Sequence, residues 1–201
     1  MEKLDILPQY IYKFTLPDNL LTDSISFASG LDYPLDTGQV VFDKKLLPQL
    51  AKFIEKSLDE VRISEHINFE YVKPHLMWAN KKNLGQWHRR HTHPNSFLSG
   101  IIYLTTCDSR TWFSIPNLWC PQNDREYVIG TYPNTRDDVE IIHKQESIAG
   151  TMIVFPSHLP HSVDDNKTDT SRYTIAFNAF PCGKSLHNND GSLAAINIQL
   201  I

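Results

Sequence analysis

Cysteine is scarce in this sequence, and the few cysteines are far apart. There are three, Cys107, Cys120 and Cys182, and no two of them form a C-x-x-C pair. Disulfide-stapled domains carry many closely spaced cysteines, while zinc ribbons and thioredoxin-like sites need paired ones, so the spacing argues against all three classes. We therefore expect a protein of a reducing, intracellular compartment.

Long apolar runs and an excess of positive charge are also missing. No run approaches the roughly 20 residues of a membrane-spanning helix, and the N-terminal MEKLDILPQYIYKF lacks the apolar core of a signal peptide. The net charge is -4 without a basic stripe, which argues against binding of nucleic acid. We expect a soluble cytoplasmic protein with neither a membrane nor a nucleic acid as partner, and a homodimer stays open.

The composition is that of an ordinary folded domain. The chain has 201 residues, of which 41% are hydrophobic and 21% charged, and it contains neither an internal repeat nor a low-complexity linker. We therefore predict one domain over residues 1–201. Its first part, residues 1–65, should hold a strand at 9–16, a short helix from Asp18 to about Ala28, a loop at 29–42 and a longer helix in LLPQLAKFIEKSLDEV, where apolar residues recur at helical spacing.

Residues 66–201 have the character of a β-rich body. Short segments rich in branched and aromatic residues are separated by Gly, Pro, Asn and Asp, a pattern typical of a sandwich, barrel or jelly roll. These segments are FEYVKPHLMWAN, SFLSGIIYLTT, RTWFSI, REYVIG, VEIIH, GTMIVFP, HSV, RYTIAFNAF and a last strand in LAAINIQLI. We predict a mainly β fold with the N-terminal helices packed on it.

The stretch HRRHTHPNS, residues 88–96, concentrates imidazoles. Alternate residues of a strand share a face, with Cα atoms about 6.6 Å apart, so His91 and His93 could both reach one metal ion at about 2.1 Å per bond. Pro94 and Asn95 should end the strand there, which leaves the imidazoles at an accessible rim. The alternative is a solvated, charged loop.

A metal site needs a third ligand from farther along the chain. FPSHLPHSV offers two, His158 and His161. We favour His161, because HSV resembles the edge of a strand, whereas His158 lies in a loop between two prolines.

The order of these signals resembles a known family. HTHPNSFLSGIIYL, then GTMIVFPSHLPHSV and RYTIAFN, is similar to the Fe(II)- and 2-oxoglutarate-dependent oxygenases, over about Trp78 to Phe180. The resemblance implies a double-stranded β-helix, which is a jelly-roll or cupin-like fold, and a hydroxylase that uses Fe(II), 2-oxoglutarate and dioxygen on an unidentified substrate.

The resemblance also implies roles for individual residues. His91 matches the first iron ligand and His161 the distal histidine. Arg172 lies where a basic residue binds the distal carboxylate of 2-oxoglutarate, and Tyr103 matches a tyrosine that often bonds the same group. Thr174 and Asn178 alternate with Arg172 along one strand and would face the same cavity. In relatives the strand that holds Trp78 and Asn80 lines the cosubstrate site, so Asn80 could contact the other carboxylate end. For Arg172 a surface ion pair with Asp164, Asp165 or Asp169 is the alternative, and for Tyr103 it is a core position.

His93 departs from the family pattern, because most members have Asp or Glu at its position. Three alternatives follow: His93 is the third ligand, Asn95 contributes, or water completes a two-histidine site as in aspartyl hydroxylases. We expect His93 to be a ligand. A cupin-like three-histidine metalloprotein that does not use 2-oxoglutarate and a non-enzymatic jelly-roll binding protein are the rival functions.

Three further features have less specific signals. His88, Arg89 and Arg90 could attract an anionic substrate, although a solvated edge is the plainer interpretation. Trp112, Trp119 and Tyr127 belong either to the core or to a substrate mouth. The segment from Asp108 to Asp138 would then be a substrate-facing insertion.

Overall fold

The computed structural model describes residues 1–6, 9–114, 141–185 and 197–198. It contains two α-helices, α1 (Asp18–Ser29) and α2 (Pro48–Ser64). The strands are β1 (Glu2–Ile6), β2 (Gln9–Thr15), β3 (Gln39–Val41), β4 (Phe69–Lys82), β5 (His88–His91), β6 (Leu98–Tyr103), β7 (Cys107–Ser114), β8 (Ile141–Ser147), β9 (Thr151–Pro156), β10 (His161–Val163), β11 (Arg172–Ser185) and β12 (Asn197–Ile198).

These strands form two antiparallel sheets. The larger sheet has the order β1-β2-β9-β6-β11-β4-β3, with β12 paired to β11, and the smaller has the order β5-β10-β7-β8. From β4 onward the chain passes back and forth between the sheets, which is the winding of a double-stranded β-helix. The expectation of a mainly β, jelly-roll type fold is therefore confirmed.

The two helices cover the outer face of the larger sheet. Helix α2 buries Leu50, Ile54, Leu58 and Val61, which recur every three or four residues and so share one face. Pro48 opens the helix, where its missing N–H costs nothing. The helix ends before His66, which has a φ of 52° in the left-handed region. Helix α2 was predicted from this periodicity.

A second core lies between the two sheets. It is built from inward-facing side chains, including Ile101 and Tyr103 of β6, Phe155 of β9 and Phe113 of β7. Alternation along a strand sends their neighbours to the outer core. This inner core closes one side of the space in which the histidines lie.

The structure corrects the prediction at three places in the N-terminal part. The segment predicted as a loop at 29–42 contains β3, and β1 precedes the predicted first strand. Helix α2 begins at Pro48, whereas the apolar pattern began at Leu46, which belongs to a 3-10 turn opened by the Asp43 side chain. Neither helix of the described residues combines the length and apolar character that a bilayer crossing requires.

Some predicted elements lie outside the described residues. REYVIG and most of the Asp108–Asp138 segment, with Trp119 and Tyr127, are among them, as is most of LAAINIQLI.

Candidate functional site

Three histidines meet where the smaller sheet ends. His91 is the last residue of β5 and His161 the first of β10, and the two are direct partners in the antiparallel pairing. His93 follows two residues after β5, in a turn where Asn95 has a φ of 55°. The His93 backbone N–H donates to the carbonyl of Ser157 at 2.9 Å, which holds the turn beside β9.

The ring nitrogens of these histidines converge. One ligand nitrogen from each of His91, His93 and His161 lies within 4.8 Å of the others. Nε2 of His93 is 3.2 Å from Nε2 of His161. Two nitrogens bound at right angles to one metal at about 2.1 Å each would be about 3.0 Å apart, so this spacing suits a shared ion.

Backbone carbonyls orient two of the rings. Nδ1 of His91 lies 2.9 Å from the carbonyl oxygen of Arg89, and Nδ1 of His161 lies 3.0 Å from that of Leu159. A carbonyl only accepts, so each Nδ1 carries the proton and each Nε2 keeps its lone pair. Metal-binding histidines are commonly oriented in this way.

Burial keeps the cluster uncharged. It lowers the pKa of His93 to about 3, with the neighbouring imidazoles of His91 and His88 adding to the shift. Burial is also the largest cause that lowers the pKa of His91 and, well below its ordinary value, that of His161. Neutral imidazole is the form that binds a metal ion.

The donor set suits Fe(II). Imidazole nitrogen is a ligand that iron accepts, and three ligands on one face leave open positions for other groups. Among the described residues the cluster contains histidine and no carboxylate. Three neutral donors would therefore leave the charge of a bound ion unreduced.

A cavity of about 320 Å³ extends from the histidines along the larger sheet. Its floor comes from alternate residues of three paired strands. The lining residues are Gln39, Val41, Leu76, Trp78, Asn80, Lys82, His88, His91, His93, Ile101, His161, Val163, Arg172, Thr174, Ala176 and Asn178. The floor is apolar near the histidines and cationic at its other end, where Arg172 of β11 lies directly opposite Lys82 of β4 in the strand pairing.

Arg172 is buried without an anionic partner. It is 3% exposed, its Nε donates to the Ser147 hydroxyl at 3.3 Å, and its Nη2 has no hydrogen-bond partner in the described part of the chain. The surface ion pair considered as an alternative is absent from those residues, and Asp164 accepts a bond from the Trp112 indole instead. A buried guanidinium with a free N–H suits a carboxylate ligand.

The other residues expected at the cosubstrate site divide between the cavity wall and the layer behind it. Asn80 and Thr174 line the cavity, and the Asn80 amide donates to the Thr174 hydroxyl at 3.2 Å. Tyr103 is fully buried and lies outside the lining residues, with its ring centroid 5.5 Å from the Arg172 guanidinium carbon. Its hydroxyl donates to Thr111 at 2.9 Å, and burial raises its pKa to about 12.

Sequence reasoning missed part of the lining. Lys82 is found by extending the alternation of Trp78 and Asn80 by one more step along β4, but Gln39 and Val41 lay in a segment predicted as a loop. His88, interpreted as an edge residue, also lines the cavity, stacked on His91 with ring centroids 4.4 Å apart. His158 is exposed and outside the cluster.

The fold and the site define a double-stranded β-helix with a cluster of metal-type ligands. The family described as 2OG-Fe(II) oxygenase matches residues 76–178, which is just over half of the chain. The chain therefore belongs to the Fe(II)- and 2-oxoglutarate-dependent oxygenases, with Fe(II) and 2-oxoglutarate as its cofactor and cosubstrate. No curated protein sequence matches it.

Solved structures share the fold at low identity. A prolyl-4-hydroxylase from Pseudomonas putida is 15% identical with a TM-score of 0.60, over 89% of this chain and 96% of that one. HygX from Streptomyces hygroscopicus, with iron bound, is 11% identical with a TM-score of 0.59, over 85% of this chain and 82% of that one. A viral collagen prolyl hydroxylase from Paramecium Bursaria Chlorella virus-1 is 13% identical with a TM-score of 0.57, over 87% and 97%.

Proposed function

We propose that His91, His93 and His161 bind the iron of this oxygenase and that Arg172 binds the distal carboxylate of 2-oxoglutarate. The observation that carries the proposal is the free Nη2 of Arg172, in a cavity that the three imidazoles also line. A buried cation costs several kcal/mol unless an anion compensates it, and the described residues offer none.

The length of the cavity suits a five-carbon dicarboxylate. The His93 ring centroid lies 5.6 Å from that of Trp78, and Trp78 pairs with Ala176. Arg172 precedes Ala176 by four residues, which is about 13 Å along a strand. The Arg172 side chain spans part of that distance, and 2-oxoglutarate would span the rest.

Asn80, Thr174 and Tyr103 would support the cosubstrate in different ways. Asn80 and Thr174 lie on the floor between Arg172 and the histidines and offer polar atoms along its path. Tyr103 contacts the guanidinium from behind and is held by Thr111. This contact would fix the fork of Arg172 so that two parallel bonds can form to a carboxylate.

The protein's part in the reaction is to bind, orient and shield. Bound Fe(II) supplies the oxidising chemistry by which dioxygen converts 2-oxoglutarate to succinate and carbon dioxide and one oxygen atom enters the substrate, commonly as a hydroxyl. The three imidazoles hold the metal and leave positions open. Arg172 fixes the far end of the cosubstrate, and its charge, together with the ion's, offsets that of the dianion.

The test is anaerobic addition of Fe(II) and then 2-oxoglutarate, followed by visible absorption of the metal-to-ligand charge-transfer band. We expect a band that needs both additions. In Arg172→Gln the dissociation constant for 2-oxoglutarate should rise at least about tenfold, because a charge-assisted hydrogen bond contributes roughly 1.5–3 kcal/mol. Iron binding should be unchanged.

Two matched variants control this test. Arg172→Lys keeps the charge but loses the planar fork and should fall between the parent and Arg172→Gln. Arg110→Gln removes an arginine that is paired at the surface with Glu146 and should behave as the parent. Iron binding without any band in the parent would contradict the proposal and favour a three-histidine site that binds its substrate directly.

A further inference from the structure

A second depression opens beside the 320 Å³ cavity, which is called the iron cavity below because the proposed iron ligands line it. It has a volume of about 380 Å³ and is lined by Asp36, Thr37, Gln39, Lys82, Trp87, His88 and Arg89. Gln39, Lys82 and His88 also line the iron cavity, so the two spaces share a wall. This mouth depression is large enough for a small organic molecule.

Positive charge dominates the mouth depression. Lys82 and Arg89 are cationic, and among the described residues neither has an ion pair. Among the described residues that line it there is one carboxylate, that of Asp36, which accepts a bond from the Thr37 backbone N–H at 2.9 Å. Because the whole chain carries a net charge of -4, this concentration of cations is local.

Lys82 adds a second positive charge beside Arg172, beyond the one that is proposed to bind the distal carboxylate of the cosubstrate. It is the direct strand partner of Arg172, and its ammonium donates to the Thr37 carbonyl at 3.1 Å. Burial and the nearby guanidinium both lower the pKa of Lys82. Once a carboxylate of 2-oxoglutarate has neutralised Arg172, Lys82 still lacks an anion.

The mouth depression also offers an apolar surface and a route to the metal ligands. Trp87 keeps 40% of its surface exposed at the depression, where its ring could cover the body of a ligand. His88 forms the shared wall and stacks on His91 with ring centroids 4.4 Å apart. A ligand held here is therefore one imidazole away from the histidine cluster.

We propose that the mouth depression binds the acidic group of a small-molecule substrate, with Lys82 and Arg89 as the ion-pairing residues and Trp87 as the surface for its apolar body. The substrate class is thus a small organic acid or phosphate ester whose oxidisable carbon extends past His88. This assignment rests on the proposed function, because it takes the histidine cluster as the place of oxidation.

The test uses three probes with the same ring and different head groups: benzoate, phenyl phosphate and the neutral benzyl alcohol. Each is titrated by calorimetry, without oxygen, into the protein loaded with Fe(II) and 2-oxoglutarate. At least one acidic probe should bind about tenfold more tightly than benzyl alcohol, and the better of the two identifies the acid. Lys82→Gln and Arg89→Gln should each weaken that binding about tenfold.

Lys81→Gln is the matched control. Lys81 is the neighbour of Lys82 on β4, but its ammonium lies over the Tyr173 ring, on the opposite face of the sheet. The Lys81→Gln variant should bind the probes as the parent does. Arg89 is exposed, so its variant remains informative even where Lys82→Gln folds poorly.

The charge-transfer band, recorded on the same samples, separates the two proposals. A band in the parent without any preference for the acidic probes overturns the substrate class and leaves the proposed function intact. Acid-selective binding without a band overturns the proposed function and leaves an anion site. If Lys82→Gln weakens 2-oxoglutarate as much as the probe, Lys82 serves the cosubstrate and the substrate assignment is overturned.

Discussion

The two ends of the iron cavity differ in charge, one neutral and the other cationic, and they come from different sheets. At one end, the smaller sheet and its turn present the imidazoles of His91, His93 and His161, all kept neutral by burial. At the other, the larger sheet presents Arg172 and Lys82 as cations without carboxylate partners among the described residues. One end offers lone pairs to a cation and the other offers charge to an anion.

This contrast teaches that burial has opposite consequences for the two kinds of group. For an imidazole, burial removes the proton and so exposes the lone pair that binds metal. An arginine keeps its charge when buried and so needs an anion. The same buried cavity would thus suit Fe(II) at one end and a carboxylate at the other, as the proposed function requires.

Among the substitutions considered, loss of the His161 side chain should reduce iron binding the most. His161 is 2% exposed, its ring is oriented by the Leu159 carbonyl, and it is one of the three histidines whose ligand nitrogens converge. We expect His161→Ala to weaken Fe(II) binding by about a thousandfold or more and to abolish turnover, since loss of even an outer partner typically costs 10–100-fold. Iron content after anaerobic dialysis and 2-oxoglutarate consumption are the measurements.

His158→Ala is the control, because this exposed histidine lies three residues earlier and outside the cluster. It should keep the iron and the activity of the parent. Turnover retained by His161→Ala would mean that the imidazole cluster is not the metal site.

Two substitutions at His93 test the histidine end further, because one removes a proposed metal ligand and the other replaces it by a charged one. We expect His93→Ala to bind Fe(II) more than about a hundredfold more weakly, because a lost ligand should cost more than a lost outer partner. His93→Asp restores the carboxylate that most family members have and should regain much of that affinity. Calorimetric titration with Fe(II) without oxygen measures both variants.

The outcome at His93 separates two kinds of site. Parent-like affinity in His93→Ala would indicate a two-histidine site with water in the third position. A loss in His93→Ala that His93→Asp partly reverses would indicate a ligand position that accepts either nitrogen or oxygen.

Much of the histidine end was predictable from local sequence. H-x-H before Pro94 and Asn95 correctly indicated two imidazoles near a strand end, but β5 ends at His91, two residues earlier than predicted, so His93 lies in the turn and not on the strand. The alternation of β11 likewise indicated that Arg172 and Thr174 share a face, which the cavity lining bears out. Such patterns can be recognised in the sequence because strand periodicity and turn chemistry depend on only a few neighbouring residues.

The rest depends on contacts between distant segments. The strand β3 has three residues, too few for a periodicity, and it exists because it pairs with β4. The position of Tyr103 behind Arg172 follows from the pairing of β6 with β11, which no local pattern encodes. The mouth depression combines residues near 36–39 with others near 82–89, so it too required the folded chain.

A substitution in the middle of the cavity should have the smallest effect on the binding of iron and 2-oxoglutarate. Asn80 lies on the cavity floor, donates to the Thr174 hydroxyl across the pairing of β4 with β11, and is 9% exposed. One neutral hydrogen bond contributes about 0.5–1.5 kcal/mol, so Asn80→Ala should raise the KM for 2-oxoglutarate about two- to tenfold. Iron affinity should stay as in the parent, because Asn80 lies outside the histidine cluster. Steady-state kinetics with varied 2-oxoglutarate measures the KM. If Asn80→Ala instead lowered the iron affinity as much as His93→Ala does, the two ends would not be separate sites. The contrast between them would then be one of charge alone.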